Sequence, residues 1–329
     1  MRQQVPRPAG QAAPAVRDPF LRDVLAGLSR RPRAIPSRWF YDARGSRLFQ
    51  WITRLPEYYL TRVELEILQR HGDRIAAPFA GARCTVVDLG AGDGHKTRAV
   101  LERLLRGGPV TYAPIDLSPA AVEEAASSVR AALPEVEVVP LCAEYTAGLR
   151  ALGASPRSGA LLVLFLGSSI GNLERPAAGA FLRALRHRLR PGDHALVGFD
   201  LVKDVPLLRA AYDDAQGVTA AFNLNLLARI DRELGADFDP GAFQHRATFD
   251  PRRPAMESWL VSRRRQRVTV AGHAFAFEAG EAIHTEISCK YREADVAAFA
   301  REAGFEELDL LCDERRWFCD ALWRAPPGR

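Results

Sequence analysis

Residues 86–97 read VVDLGAGDGHKT: an apolar run ends in Asp88, and Gly90, Gly92 and Gly94 follow at alternate positions. A glycine turn after a buried strand lets backbone approach a nucleotide closely. A dinucleotide fingerprint needs GxGxxG, whereas the spacing here is GxGxG, and no GK[ST] follows as a phosphate loop requires. Phosphate sites place negative charge on a helix N-terminus. Here an acidic residue precedes the turn instead. S-adenosylmethionine carries no phosphate and has a positive sulfonium beside an amino-acid moiety, so it suits Asp88 and the close glycine backbone better. Asp116 closes the next strand-like run, where a carboxylate can accept both ribose hydroxyls. Glu144 and Tyr145 follow the third run, at the adenine edge and face.

The elements that must position these residues alternate from residue 83 onward. Strand-like runs cover 83–89, 110–117, 135–143, 160–167 and 193–201. Helical patterns cover 95–106, 118–133 with Ser118 as cap, and 174–190. Strands separated by helices predict an α/β fold, a doubly wound parallel sheet. Residues 20–80 are helical in pattern with an aromatic-rich stretch, SRWFYDARGSRLFQWITRLPEYYLTR (37–62). Residues 203–290 begin as helices and turn to strands: WLVSRRRQRVTV, HAFAFEAG and EAIHTEISCKY. The expected organisation is a loose arm over 1–19, a substrate-binding α+β lobe from 20–80 plus 203–290, and a Rossmann-like cofactor domain from 81–202 plus 291–329.

Composition excludes several classes. The chain has 329 residues, 47% hydrophobic and 26% charged, with 45 basic against 40 acidic side chains. The basic residues are scattered, and the densest run, RRRQR (263–267), reads as an exposed hairpin, so no nucleic-acid partner is expected. The longest fully apolar run, ALLVLFL (160–166), is far short of the roughly 20 residues a membrane helix needs. The N-terminus lacks the apolar stretch of a signal peptide. Five cysteines without CxxC predict a reduced, cytoplasmic chain. The seven histidines show no HxxxH or HxH spacing, so no metal is expected.

The motifs WFYDARGSRLF, LPEYYLTR, FLGSSIGN, DLVKD, AYDDAQGVTAAFN and HTEISCKY resemble the histidine Nα-methyltransferases of ergothioneine biosynthesis. These form a branch of the class I S-adenosylmethionine-dependent methyltransferases. The resemblance runs from about residue 20 to 324. It implies trimethylation of the α-amine of L-histidine to hercynine by a two-lobed monomer with the small-molecule substrate between the lobes. It implies cofactor contacts at Gly90, Lys96, Asp116, Glu144 and Tyr145, beside the Asp88 and Gly92 of the turn. Asn172 and Tyr212 would hold the substrate carboxylate. Glu286 and Ser288 would bind the imidazole, with Tyr58 nearby, and Tyr41 would lie near the amine.

The residue types suit those roles. Glu286 and Ser288 are two apart in a strand-like run and share one face. One carboxylate and one hydroxyl can bind two ring nitrogens. Tyrosine faces attract ammonium groups. Methyl transfer to an amine is an in-line displacement and needs the amine neutral. Free α-amino groups titrate near pH ~8, and burial beside a sulfonium lowers that further. Tyr41 could then orient the amine without a strong base.

Two positions depart from the family. Many members read GSGxSxKT where this chain reads GAGDGHKT. In ESWL (257–260), Ser258 stands where some histidine enzymes have methionine against the imidazole. A smaller, polar Ser258 opens the alternative of another amino acid or a histidine or tryptophan derivative. An indole would leave the Glu286–Ser288 pair poorly matched. A nicotinamide oxidoreductase is disfavoured by GxGxG, and an inert binding module by the full set of substrate residues.

Overall fold

The computed structural model describes residues 18–327 except 146, 149 and 151–158. The arm expected over 1–19 lies outside the described residues up to position 17. Asp18 already caps the first helix, Pro19–Ser29, its carboxylate accepting the Phe20 amide at 2.8 Å.

The strands in chain order are β1 (Arg33–Ala34), β2 (Cys84–Leu89), β3 (Val110–Asp116), β4 (Glu137–Val138), β5 (Leu141–Cys142), β6 (Ala160–Phe165) and β7 (His194–Asp200). They continue with β8 (Phe243–Asp250), β9 (Ala255–Ser262), β10 (Gln266–Val270), β11 (His273–Phe277), β12 (Ala282–Cys289), β13 (Glu306–Cys312) and β14 (Phe318–Arg324). Among the described residues the large sheet runs β13-β14-β7-β6-β2-β3-β4, and β5 also pairs with β3. Strands β7, β6, β2 and β3 are mutually parallel, while β14 runs antiparallel between β7 and β13. The central strands are largely apolar, with acids near their carboxyl ends, because helices cover both faces. Helix Pro119–Ala132 starts where Ser118 caps it, the hydroxyl accepting from the Ala121 amide at 3.3 Å.

The third strand expected over 135–143 is broken into β4 and β5. Pro140 stands between them and has no N–H for the ladder. The run WLVSRRRQRVTV is likewise two strands: Arg263, Arg264 and Arg265 form an exposed turn between β9 and β10. Strand β8 alternates only weakly, Phe243, Ala247 and Phe249 sharing a face with His245, and tertiary pairing with β9 decides it.

A second sheet, β1-β12-β9-β8, joins chain segments some 250 residues apart in number. Strand β1 pairs in parallel with β12, Arg33 opposite Ile283. Helix Val218–Leu234 packs on this sheet and on helix Ala43–Ile52. The helix Tyr59–Ala76 departs from the expected boundary at residue 80: it packs on helix His95–Leu105 and β14, against the large sheet. Its apolar face (Leu60, Val63, Ile67, Leu68, Ile75) is buried there, which explains the placement. The two sheets meet where Leu201 bridges Tyr291 and the Tyr291 amide donates to the Asp200 carbonyl at 3.0 Å.

Candidate active site

Strand order reverses at β2 and β6, and in doubly wound sheets ligands bind at the carboxyl ends beside such a reversal. Both strands end there in glycines of positive φ, Gly90 at +77° and Gly167 at +72°. A Cβ on Gly90 would stand 2.8 Å from the Tyr145 hydroxyl, whereas Gly92 faces open space. Asp88 is buried at the end of β2. It accepts from Thr97 Oγ1 at 2.6 Å and from Tyr112 at 3.0 Å, which fixes its side chain from behind. Burial pushes its carboxyl up to about 6, against the pull of those hydrogen bonds and of Lys96. Asp116 accepts the Ser118 amide at 2.9 Å. Burial raises its pKa, while the Ser118, Leu117 and Gly92 amides lower it. Gly92 and Asp116 thus come together from two loops. Asp116 also belongs to the charged surroundings of Tyr145. Glu144 is exposed at the same edge. Acidic groups and open glycine backbone around one face of the turn fit a cationic nucleoside.

Lys96 is paired rather than free. Its ammonium binds Glu64, whose other oxygen accepts the Gly167 amide at 2.6 Å. A Cβ on Gly167 would come within 3.2 Å of the lysine nitrogen. Burial lowers the Lys96 pKa and Glu64 raises it, with a net rise, so the ammonium persists as half of an ion pair. Glu64 is fully buried on helix Tyr59–Ala76. No local pattern singles it out among the polar residues of that helix.

The second sheet carries the residues expected to face the substrate. Glu286 on β12 stands opposite Ser258 on β9, and the serine hydroxyl donates to its carboxylate at 3.2 Å. A bulge between His284 and Glu286 re-aims the strand here. Thr285 turns away from the pair, its one hydroxyl proton shared between Asn223 Oδ1 at 2.9 Å and the Ser258 carbonyl at 3.0 Å. Burial pushes Glu286 up to about 7, opposed by the Ser258 hydrogen bond and the Lys290 charge. Ser288 lies on the same face as Glu286, and Tyr212 donates to it at 2.7 Å.

The aromatic residues close this group. Asp42 caps helix Ala43–Ile52 through the Gly45 amide at 2.6 Å and is held by Asn225 at 2.8 Å and Arg232 at 2.7 Å. A Cβ on Gly45 would collide with the Phe40 carbonyl, so the DARG turn needs its glycine. The turn presents Tyr41 edge-on to Phe49 at 5.6 Å and Phe222 at 5.7 Å. Burial raises the Tyr41 hydroxyl's pKa well above its usual value, followed by the charges of Glu286, Tyr58, Tyr145 and Asp116. Tyr41 is thus within electrostatic reach of Glu286 as well as of Tyr145 and Asp116. Tyr58 is buried beside Phe49, and its electrostatic neighbours are Tyr212 and Glu286.

Asn172 departs from the expected enclosure: it is exposed at the end of the 3-10 turn Ser169–Asn172. That turn packs on β12, where a Cβ on Gly171 would meet the Cys289 carbonyl at 2.9 Å. The glycine permits the approach and leaves Asn172 at the outer end. Ser168, just before it, takes φ +55° and accepts the Asp200 amide at 3.0 Å. Such a backbone in a serine is held by its surroundings.

Asp200 and Lys290 were not singled out from sequence, although both lie in the motifs DLVKD and HTEISCKY. Asp200 is fully buried at the end of β7. It accepts from Tyr59 at 2.8 Å, from Lys203, and from Lys290 at 2.7 Å. Burial alone would raise its pKa, but the two lysines hold it below the usual carboxylate range. The same burial brings Lys203 down to about 8. His284 leans on the Trp259 ring at 4.6 Å, with burial lowering its pKa to about 4, and His95 is exposed.

A sheet of order β4-β3-β2-β6-β7-β14-β13 with β14 antiparallel to β7, a glycine turn after β2, and acids at the end of β3 and after β5 define a class I methyltransferase. Residues 20–325 match the family model described as "Histidine-specific methyltransferase, SAM-dependent", and the chain belongs to that family. It is 44% identical over 309 residues to the histidine N-alpha-methyltransferase of Mycolicibacterium smegmatis, covering 92% of this chain and 94% of that one. A second histidine N-alpha-methyltransferase, from Mycobacterium tuberculosis, is 43% identical over 296 residues, covering 89% and 91%. Ergothioneine biosynthesis protein 1 of Schizosaccharomyces pombe is 30% identical over 280 residues, covering 83% of this chain and 36% of that longer protein.

Proposed function

We propose that this chain methylates the α-amine of L-histidine three times to give hercynine, on the route to ergothioneine. The observation that carries the substrate is the Glu286 carboxyl, braced by Ser258 and sharing a face with Ser288. A carboxylate that accepts and a hydroxyl that donates match the two nitrogens of a neutral imidazole. S-adenosylmethionine, when bound, supplies the methyl group as an electrophilic sulfonium. Asp88, Gly90, Gly92, Lys96, Asp116, Glu144 and Tyr145 would hold it.

This chain's own residues then have four tasks. Glu286 and Ser288 hold the ring. Asn172, at the outer end of its turn, would take the carboxylate; the Tyr212 hydroxyl, expected there too, is engaged by Ser288 and Lys290. Tyr41 orients the amine lone pair toward the glycine turn; its hydroxyl keeps its proton, so it acts as a hydrogen-bond partner and not as a phenolate base. Tyr58 and Tyr41 offer ring faces to the growing ammonium. Holding the reactants at near-attack distance, roughly 3–3.5 Å, is the main contribution of such a site. The ion pair of Lys96 with Glu64 keeps the lysine from repelling a cation.

Ser258 favours a second reading, N-methylation of another amino acid or of a histidine or tryptophan derivative, because a small polar side chain contacts Glu286 there. Incubation with S-adenosylmethionine and each of the twenty amino acids, plus tryptophan derivatives, decides between them by mass spectrometry. Three methyl additions to histidine alone support the first reading. Methylation elsewhere without a histidine product overturns it in favour of the second. We also propose a cytoplasmic monomer, which molar mass from light scattering and cell fractionation would check. Among the described residues no helix is long and apolar enough to cross a membrane, and no group of three His, Cys, Asp or Glu could hold a metal.

A further inference from the structure

Lys290 is fully buried and its ammonium has three protons to place. They go to Asp200 Oδ2 at 2.7 Å, the Tyr212 hydroxyl at 2.8 Å and Ser288 Oγ at 2.9 Å. Tyr212 accepts from Lys290 and passes its own proton to Ser288 Oγ at 2.7 Å. A serine oxygen has two lone pairs. Lys290 and Tyr212 fill both from inside the protein. The proton of Ser288 is left over, and among the described residues no acceptor takes it. On the same face, Glu286 receives Ser258 on Oε2 at 3.2 Å.

We propose that Lys290 is a positioning residue: by filling the Ser288 lone pairs together with Tyr212, it makes Ser288 a donor only, so that the site selects a ring offering one N–H and one bare nitrogen. This rests on the histidine reading and deepens it. Neutral imidazole meets the requirement, its N–H toward Glu286 and its bare nitrogen toward Ser288. Imidazolium would set N–H against O–H and bring a second cation toward Lys290. Indole offers an N–H but no ring acceptor, so the Ser288 proton would be stranded. Selectivity for the substrate is thus set partly by a lysine behind the residue that touches it.

The test compares kcat/KM for histidine and for the two β-pyrrolylalanine isomers, in which one ring nitrogen is replaced by C–H. The full chain is assayed as wild type, Lys290→Met and Tyr212→Phe. Wild type should prefer histidine over the better isomer by roughly tenfold or more, since that isomer strands a buried donor. In Lys290→Met that preference should shrink several-fold, because Ser288 can turn its proton inward. The affinity for S-adenosylhomocysteine should hold, which reports an intact cofactor site. Equal losses on histidine and pyrrolylalanine would make Lys290 merely structural and overturn the proposal. Tyr212→Phe keeps the Lys290–Asp200 pair, so it serves if Lys290→Met does not fold. It gives the Ser288 proton no inward acceptor, so the preference should hold; its loss overturns the proposal. If wild type leaves histidine unmethylated, the histidine reading fails instead, and the ring-selectivity comparison shows that failure separately.

Discussion

Ser258 and Glu286 face each other across β9 and β12, the serine hydroxyl donating to the carboxylate at 3.2 Å. Ser258 is therefore in direct contact with the acid proposed to bind the ring. Burial raises the carboxyl to about 7, and Ser258 opposes that rise. If the ionised form accepts the ring N–H, kcat/KM should fall as pH drops through about 7. Ser258→Ala removes a group that favours the charged form, so the acid limb should move to higher pH. A pH profile of kcat/KM for both proteins checks the sign, and a shift to lower pH would refute it.

Glu286→Ala should cost histidine methylation about a hundredfold in kcat/KM, the size expected for a charge-assisted hydrogen bond of ~2–3 kcal/mol. The cofactor turn lies on the other sheet, so affinity for S-adenosylhomocysteine by calorimetry should change little. Loss of both would contradict the separation of the two binding regions.

Gly90→Ala meets two obstacles. Its φ of +77° disfavours a side chain, and the Cβ would stand 2.8 Å from the Tyr145 hydroxyl. The backbone conflict alone costs on the order of 1 kcal/mol. Tyr145 must also move. S-adenosylhomocysteine should bind at least tenfold more weakly while the melting temperature falls only modestly. Undiminished binding would remove Gly90 and Tyr145 from the cofactor site.

Asp200→Ala leaves Lys203 and Lys290 buried with no carboxylate between them. Breaking one side of a buried ion pair costs about 3–5 kcal/mol. Urea unfolding should show a loss of that order, and Asp200→Asn, which keeps an acceptor for Tyr59, should lose less. An effect within ~0.5 kcal/mol, typical of surface positions, would contradict the role given to Asp200.

The sequence by itself determined the elements whose signals are local. Apolar runs at 84–89, 110–116, 160–165 and 194–200 became parallel strands, because burial on both faces demands such runs. Gly90, Gly92 and Gly94 form the turn that their spacing after a strand announced, and the structure gives all three positive φ. Glu286 and Ser288 share a face because a strand alternates. The tertiary structure alone decided what depends on distant partners. Pairing of β1 with β12 joins residues 33–34 to 283–284, and no local pattern encodes that. The bulge at Thr285 and the opposition of Ser258 to Glu286 follow from register. Glu64 beside Lys96, and Lys290 between Asp200 and Ser288, are long side chains whose charges are satisfied only across elements. A charged residue's sequence neighbours do not say whether it faces water or a buried counterion. Burial decides that, and burial is a property of the packed chain.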